Sequence, residues 1–121
     1  MNRPSRARAI AALLIMSGAR LAAAHAHPAQ QTPAAGQTLA TAPQQVAIDF
    51  DEGVEAAFTS ITVTDAQGRS VTQGKSAVDA ANDKHAAVAL KPLTPGNYSV
   101  TWTAVARDGH RTQGRYAFTV K

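Results

Sequence analysis

From position 45 onward, hydrophobic and polar residues alternate in short runs, the period of strands that bury one face. Val46, Ile48 and Phe50 are separated by Ala47 and Asp49. Ile61 and Val63 alternate with threonines and lead into Asp65-Ala66-Gln67-Gly68, a hairpin-turn sequence after which Val71 opens a return strand. Ala86, Val88 and Leu90 repeat the pattern before Pro92 and the turn Pro95-Gly96-Asn97. The clearest strand follows, with Tyr98, Val100, Trp102 and Ala104 on one face, and Tyr116, Phe118 and Val120 mark the last. No run in this region has the 3.6-residue period of an amphipathic helix. Short strands punctuated by glycine and proline predict an all-β fold, an antiparallel Greek-key β-sandwich of the Ig-like kind with about seven strands. Pro28, Pro33 and Pro43 make residues 27–44 a ragged first strand and loop. The six aromatic residues, Phe50, Phe58, Tyr98, Trp102, Tyr116 and Phe118, are assigned to the core.

The first residues follow a different pattern. Arg3, Arg6 and Arg8 precede an apolar run from Ala9 to Met16 and small residues from Leu21 to Ala26, which is the layout of an export signal. The apolar run is too short to span a bilayer. The expected division is a signal peptide over 1–26 and one domain over 27–121, with no stable membrane insertion after cleavage. Cleavage after Ala24, leaving His25 first, is the alternative junction.

Removing this segment changes the charge balance. Four of the 12 basic residues (Arg3, Arg6, Arg8 and Arg20) leave with the signal, so the remaining basic side chains match the 8 Asp and Glu in number. The basic excess that marks a nucleic-acid partner is therefore absent from the domain. There is no cysteine, and the 2 methionines, Met1 and Met16, both precede the domain. Without thiolate or thioether, the ligands available to a metal are nitrogen and oxygen, which suits Cu(II) over Cu(I).

Two short strings carry candidate chemistry. Cleavage before His27 gives a residue with both an α-amine and an imidazole, and Pro28 after it has no N–H to lose to a metal. Asp108-Gly109-His110 adds a carboxylate and an imidazole on a turn between two strands. Each also has an ordinary reading, as a frayed terminus and as a solvated Asp-Gly turn. Cleavage before His25 is a different case, because His25-Ala26-His27 places histidine third behind ionisable amides and binds Cu(II) by itself. Asp79, Asp83 and His85 are assigned to a solvated connection, and Asp49, Asp51, Glu52 and Glu55 to a face turned to water. No serine, histidine and acid set suggests a nucleophile, and the chain is read as a binding protein, not an enzyme. The competing readings are a metal-independent interaction sandwich and a copper oxygenase with an N-terminal histidine.

Six segments in order, His27-Pro28, Thr32-Pro33-Ala34-Ala35-Gly36, Phe50-Asp51-Glu52-Gly53-Val54, Leu93-Thr94-Pro95-Gly96-Asn97-Tyr98, Val100-Thr101-Trp102 and Asp108-Gly109-His110 with Gly114, resemble the CopC family of periplasmic copper-resistance proteins. The resemblance implies a periplasmic Cu(II) protein for resistance, storage or delivery to an inner-membrane CopD-like transporter. It implies that His27 gives its amine and ring, His110 a second ring and Asp108 a carboxylate, while Glu52 matches an acidic position near the metal in some relatives. Arg111 stands where relatives often have proline, and the methionine-rich Cu(I) segment of some members is missing, which implies a Cu(II)-only member.

Overall fold

The computed structural model describes residues 25–121, so the predicted signal segment lies almost wholly outside the described residues. Eight strands form two four-stranded sheets: β1 (Pro28–Thr32), β2 (Thr38–Leu39), β3 (Gln45–Phe50), β4 (Ser60–Thr64), β5 (Thr72–Asp79), β6 (Asn82–Leu90), β7 (Gly96–Val105) and β8 (Arg111–Val120). One sheet has the order β1-β3-β6-β5 and the other β2-β8-β7-β4, and the chain crosses repeatedly between them in Greek-key fashion.

The alternation read from the sequence becomes the inner faces of this sandwich. Val46, Ile48 and Phe50 from β3 and Ala86, Val88 and Leu90 from β6 are buried against Tyr98, Val100, Trp102 and Ala104 of β7 and Tyr116, Phe118 and Val120 of β8. Each large side chain so buried contributes roughly 1.5–3 kcal/mol of transfer free energy. Phe50 and Trp102 meet edge to face across the two sheets with ring centroids 5.5 Å apart. Tyr98 and Phe118, opposite each other in the β7–β8 register, stack at 5.4 Å.

Four features differ from the sequence expectation. The pairing is not wholly antiparallel, because β2 runs parallel to β8 through Thr38 and Leu39. The hairpin at Asp65–Gly68 is closed by a single bridge, Thr64 to Ser70, after which the chain leaves for the other sheet and pairs with β6. The expected connection holding Asp79, Asp83 and His85 is mostly strand: β5 is an edge strand whose inner face carries little beyond Val78, so it lacks an apolar period. Phe58 is not in the core; it lies in a 3-10 turn over Ala56–Phe58 and is 63% exposed.

Gly114 faces the indole of Trp102, and a Cβ built there would approach the ring to 2.5 Å. That ring is fixed by the core and cannot swing aside. Gly114→Ala is therefore expected to destabilise the fold by about 1–3 kcal/mol, the usual cost of overpacking, read as a lower midpoint in chemical denaturation with unchanged slope.

Candidate metal centre

One end of the sandwich collects the polar groups singled out above. The β7–β8 hairpin closes there through Ala106 N–H to His110 O and Gly109 N–H to Ala106 O, both 2.9 Å. Gly109 takes a φ of +87°, a conformation that L side chains rarely adopt, which is why the turn carries glycine. Within it Asp108 and His110 are a coupled pair. Asp108 Oδ1 accepts the His110 backbone N–H at 3.0 Å, and Oδ2 lies 2.9 Å from His110 Nδ1. A hydrogen on Nδ1 then serves this bond and leaves Nε2 as the lone-pair nitrogen, the arrangement by which a carboxylate orients a metal-binding histidine. The His110 N–H, then its ring, hold the Asp108 carboxyl below its ordinary value, with the charges of His110 and His25 adding to the effect.

The N-terminal arm reaches the same place. The ring of His25 lies edge-on to that of His110 with centroids 4.7 Å apart, and the ring of His27 is 6.3 Å from that of His25. His25 Nδ1 is buried and has no hydrogen-bond partner. Leaving a buried nitrogen unpaired is costly, and a bound ion is one way to satisfy it. The arm is pinned between the sheets: Ala26 is fully buried, its carbonyl accepts from Thr112 Oγ1 at 2.7 Å, and the His27 N–H donates to Asp51 Oδ1 at 2.8 Å.

The segment after β3 completes this end. Val54 bridges Ala106, and Glu55 N–H donates to Val105 O at 2.7 Å, so residues 51–58 run beside the hairpin. Arg107, next to Asp108, donates from Nε to Asp83 Oδ2 at 2.9 Å and lies 4.0 Å from Glu55, tying the hairpin to β6. The acidic run is thus not simply turned to water: Asp51 holds the arm, Glu55 faces Arg107, and Asp49 bonds His85 Nδ1 at 2.7 Å. Asp79 accepts the Ala81 N–H of its own turn, so Asp79, Asp83 and His85 form no cluster. Glu52 has no side-chain hydrogen bond or ion pair with another described residue.

Of the residues expected at the site, Asp108 and His110 are in direct contact and His27 is nearby, with His25 between His27 and His110. Among the described residues no three His, Asp or Glu side chains already converge in metal-ligand geometry. The donors at this end are nitrogen and oxygen throughout, and with the orphaned His25 nitrogen they fit a metal of the kind held by imidazole and carboxylate. His25 was visible in the sequence as the first residue of a histidine pair, whereas nothing local marked Asp51 or Thr112 as holding the arm.

The family model described as the CopC domain matches residues 29–121. The chain belongs to the CopC family. Protein YobA of Escherichia coli K12 is 37% identical over 99 residues, covering 81% of this chain and 80% of YobA. Copper resistance protein C of Pseudomonas syringae pv. tomato is 33% identical over 127 residues, covering 100% of this chain and 98% of the relative. Among solved structures, CopC from Methylosinus trichosporium OB3b superposes with a TM-score of 0.71 at 30% identity, covering 80% of this chain and 94% of that one. The CopC sandwich therefore accounts for the fold, and its Asp108–His110 turn and histidine arm share one end.

The Asp108 carboxyl is expected to titrate below the ordinary aspartate value in the metal-free protein, followed by carboxyl-carbon NMR. Because its folded value is depressed, its contribution to stability is present above the unfolded value and is lost as pH falls through the folded one. His110→Ala removes the ring contact and moves the midpoint upward; a native midpoint that is not below the ordinary aspartate value contradicts the pairing.

Proposed function

We propose that this CopC-family protein binds a single Cu(II) ion in the periplasm at the histidine end of the sandwich, for copper resistance, storage or delivery to an inner-membrane transporter of the CopD type. The observation that carries the reading is the His25 ring beside the His110 ring, with His25 Nδ1 buried and unpartnered. The copper named in the Pseudomonas relative supports the choice of metal. The absence of Cys from the chain, and of Met after Met16, supports the oxidised ion.

Asp108 and His110 keep the roles expected of them, the ring of His110 as ligand and Asp108 as ligand or as the group that orients it. The amine-bearing role passes from His27 to His25. Cleavage before His27 cuts away Ala26, which is fully buried, and strips Thr112 of its acceptor. It also turns the N–H held by Asp51 into the amine itself, pairing that amine with a carboxylate. Cleavage after Ala24 keeps every one of these contacts and adds an amine on the histidine whose ring lies edge-on to that of His110. His27 remains a neighbouring ring, and Glu52 is retained as a peripheral acidic group. A binding role is favoured over catalysis on a polymer because five of the six aromatics are buried in the core and offer no stacking face. No helix among the described residues is long and apolar enough to cross a membrane.

Intact mass of protein recovered from the periplasm is expected to give a chain beginning at His25 that retains one equivalent of Cu(II); a chain beginning at His27 contradicts the assignment of the amine. His110→Ala should weaken Cu(II) binding by more than the roughly 10–100-fold that loss of an outer-shell partner costs, measured by competition with a chelator. Affinity should fall between pH 7 and 5, because an amine and imidazoles must lose protons to bind. At free copper a hundredfold above the dissociation constant, unfolding should cost about 2.7 kcal/mol more than in the apo form.

A further inference from the structure

One peptide group in the arm is held from both ends. The Ala26 carbonyl accepts from Thr112 Oγ1 at 2.7 Å, and the N–H of the same peptide, on His27, donates to Asp51 Oδ1 at 2.8 Å. Thr112 belongs to β8 and Asp51 follows β3, so the two holds come from opposite sheets. The Asp51 N–H donates in return to His27 O at 2.9 Å, which keeps the arm docked independently of the Asp51 side chain.

A chain beginning His25-Ala26-His27 has two ways to take Cu(II). In one, the terminal amine, the amide nitrogens of Ala26 and His27 and the His27 ring wrap the ion as a four-nitrogen chelate that needs nothing else from the protein. In the other, the amine and ring of His25 act with the Asp108–His110 turn. The first requires the His27 amide to release its proton to solvent and turn its nitrogen to the metal. In the fold that N–H points at a carboxylate, a charge-assisted bond roughly twice as strong as a neutral one, and rotation of the peptide also breaks the bond to Thr112.

We infer that Asp51 and Thr112 select the coordination mode, locking the Ala26–His27 peptide against the terminal chelate and reserving the ion for His25 with the Asp108–His110 turn. The inference rests on the Cu(II) reading above and on a chain that starts at His25. Asp51 and Thr112 are positioning residues, since neither is assigned to the metal. The consequence is functional: an ion wrapped in the terminal chelate is held by a tail, whereas the selected mode ties it to the β7–β8 hairpin and hence to the body of the sandwich.

The test is electron paramagnetic resonance and visible absorption of the processed protein with one equivalent of Cu(II). The native protein is expected to give a mixed nitrogen and oxygen signature that changes in His110→Ala. Asp51→Ala and Thr112→Val should move the visible band to shorter wavelength and enlarge the copper hyperfine splitting, as four in-plane nitrogens do, and a further His110→Ala should then have no effect. Asp51→Asn, whose side-chain oxygen still accepts the N–H, should keep the native signature. If Asp51→Ala lowers the content of folded protein, the nearly isosteric Thr112→Val carries the test. Native spectra that depend on His110 and are unmoved in both clamp variants overturn the inference and leave the copper site standing. Native protein that already gives the four-nitrogen signature, indifferent to His110→Ala, or that binds no Cu(II), overturns both.

Discussion

The histidine end of this protein depends on one peptide unit, that between Ala26 and His27, which hydrogen-bonds to β8 on one side and to the end of β3 on the other. These strands belong to different sheets, and the arm is too short to have a core of its own. A terminal segment ordinarily frays unless something ties it down. Here the tie is a pair of polar bonds beside a fully buried Ala26, so the position of the His25 ring is set by the sandwich and not by the arm.

The other half of the site is rigid for a different reason. Asp108 and His110 occupy the tip of a long, fully paired hairpin, and the turn is closed by backbone bonds and by Asp108 gripping both the N–H and the ring of His110. Arg107 fastens the same tip to Asp83 at the start of β6. The pair is exposed and worth little to global stability, but it adds a lateral tether where the two sheets must stay in register with each other. Two rigid halves meeting edge-on, with one nitrogen left unpartnered, make an arrangement suited to holding a small cation without a large change of shape.

Much of this was legible in the sequence, and the parts that were not have physical reasons. The strands β3, β4, β7 and β8 announced themselves because each buries one face and therefore alternates. The strand β5 did not, since an edge strand of Thr, Gln, Gly, Lys and Ser presents almost no apolar period. Phe58 carried the composition of a core residue but falls in a turn, where strand alternation does not apply. The Asp108–His110 pair was visible because its contact is local, spanning a glycine turn. The meeting of His25 with His110, and the holds on the arm by Asp51 and Thr112, join positions far apart in the chain, and a single sequence carries no signal for such contacts. The acidic run after β3 looked like a solvated face for the same reason: each partner, Arg107 for Glu55, His85 for Asp49 and the arm for Asp51, comes from another strand or loop.

Whether His25 and His110 share one ion is decided by copper K-edge X-ray absorption of the processed protein carrying one Cu(II), with the outer-shell scattering used to count imidazoles. Two imidazoles are expected, from His25 and His110, with the remaining near neighbours nitrogen or oxygen and no sulfur, and a drop to one imidazole in His110→Ala. A single imidazole in the native protein, or a count unchanged by His110→Ala, would contradict a shared site.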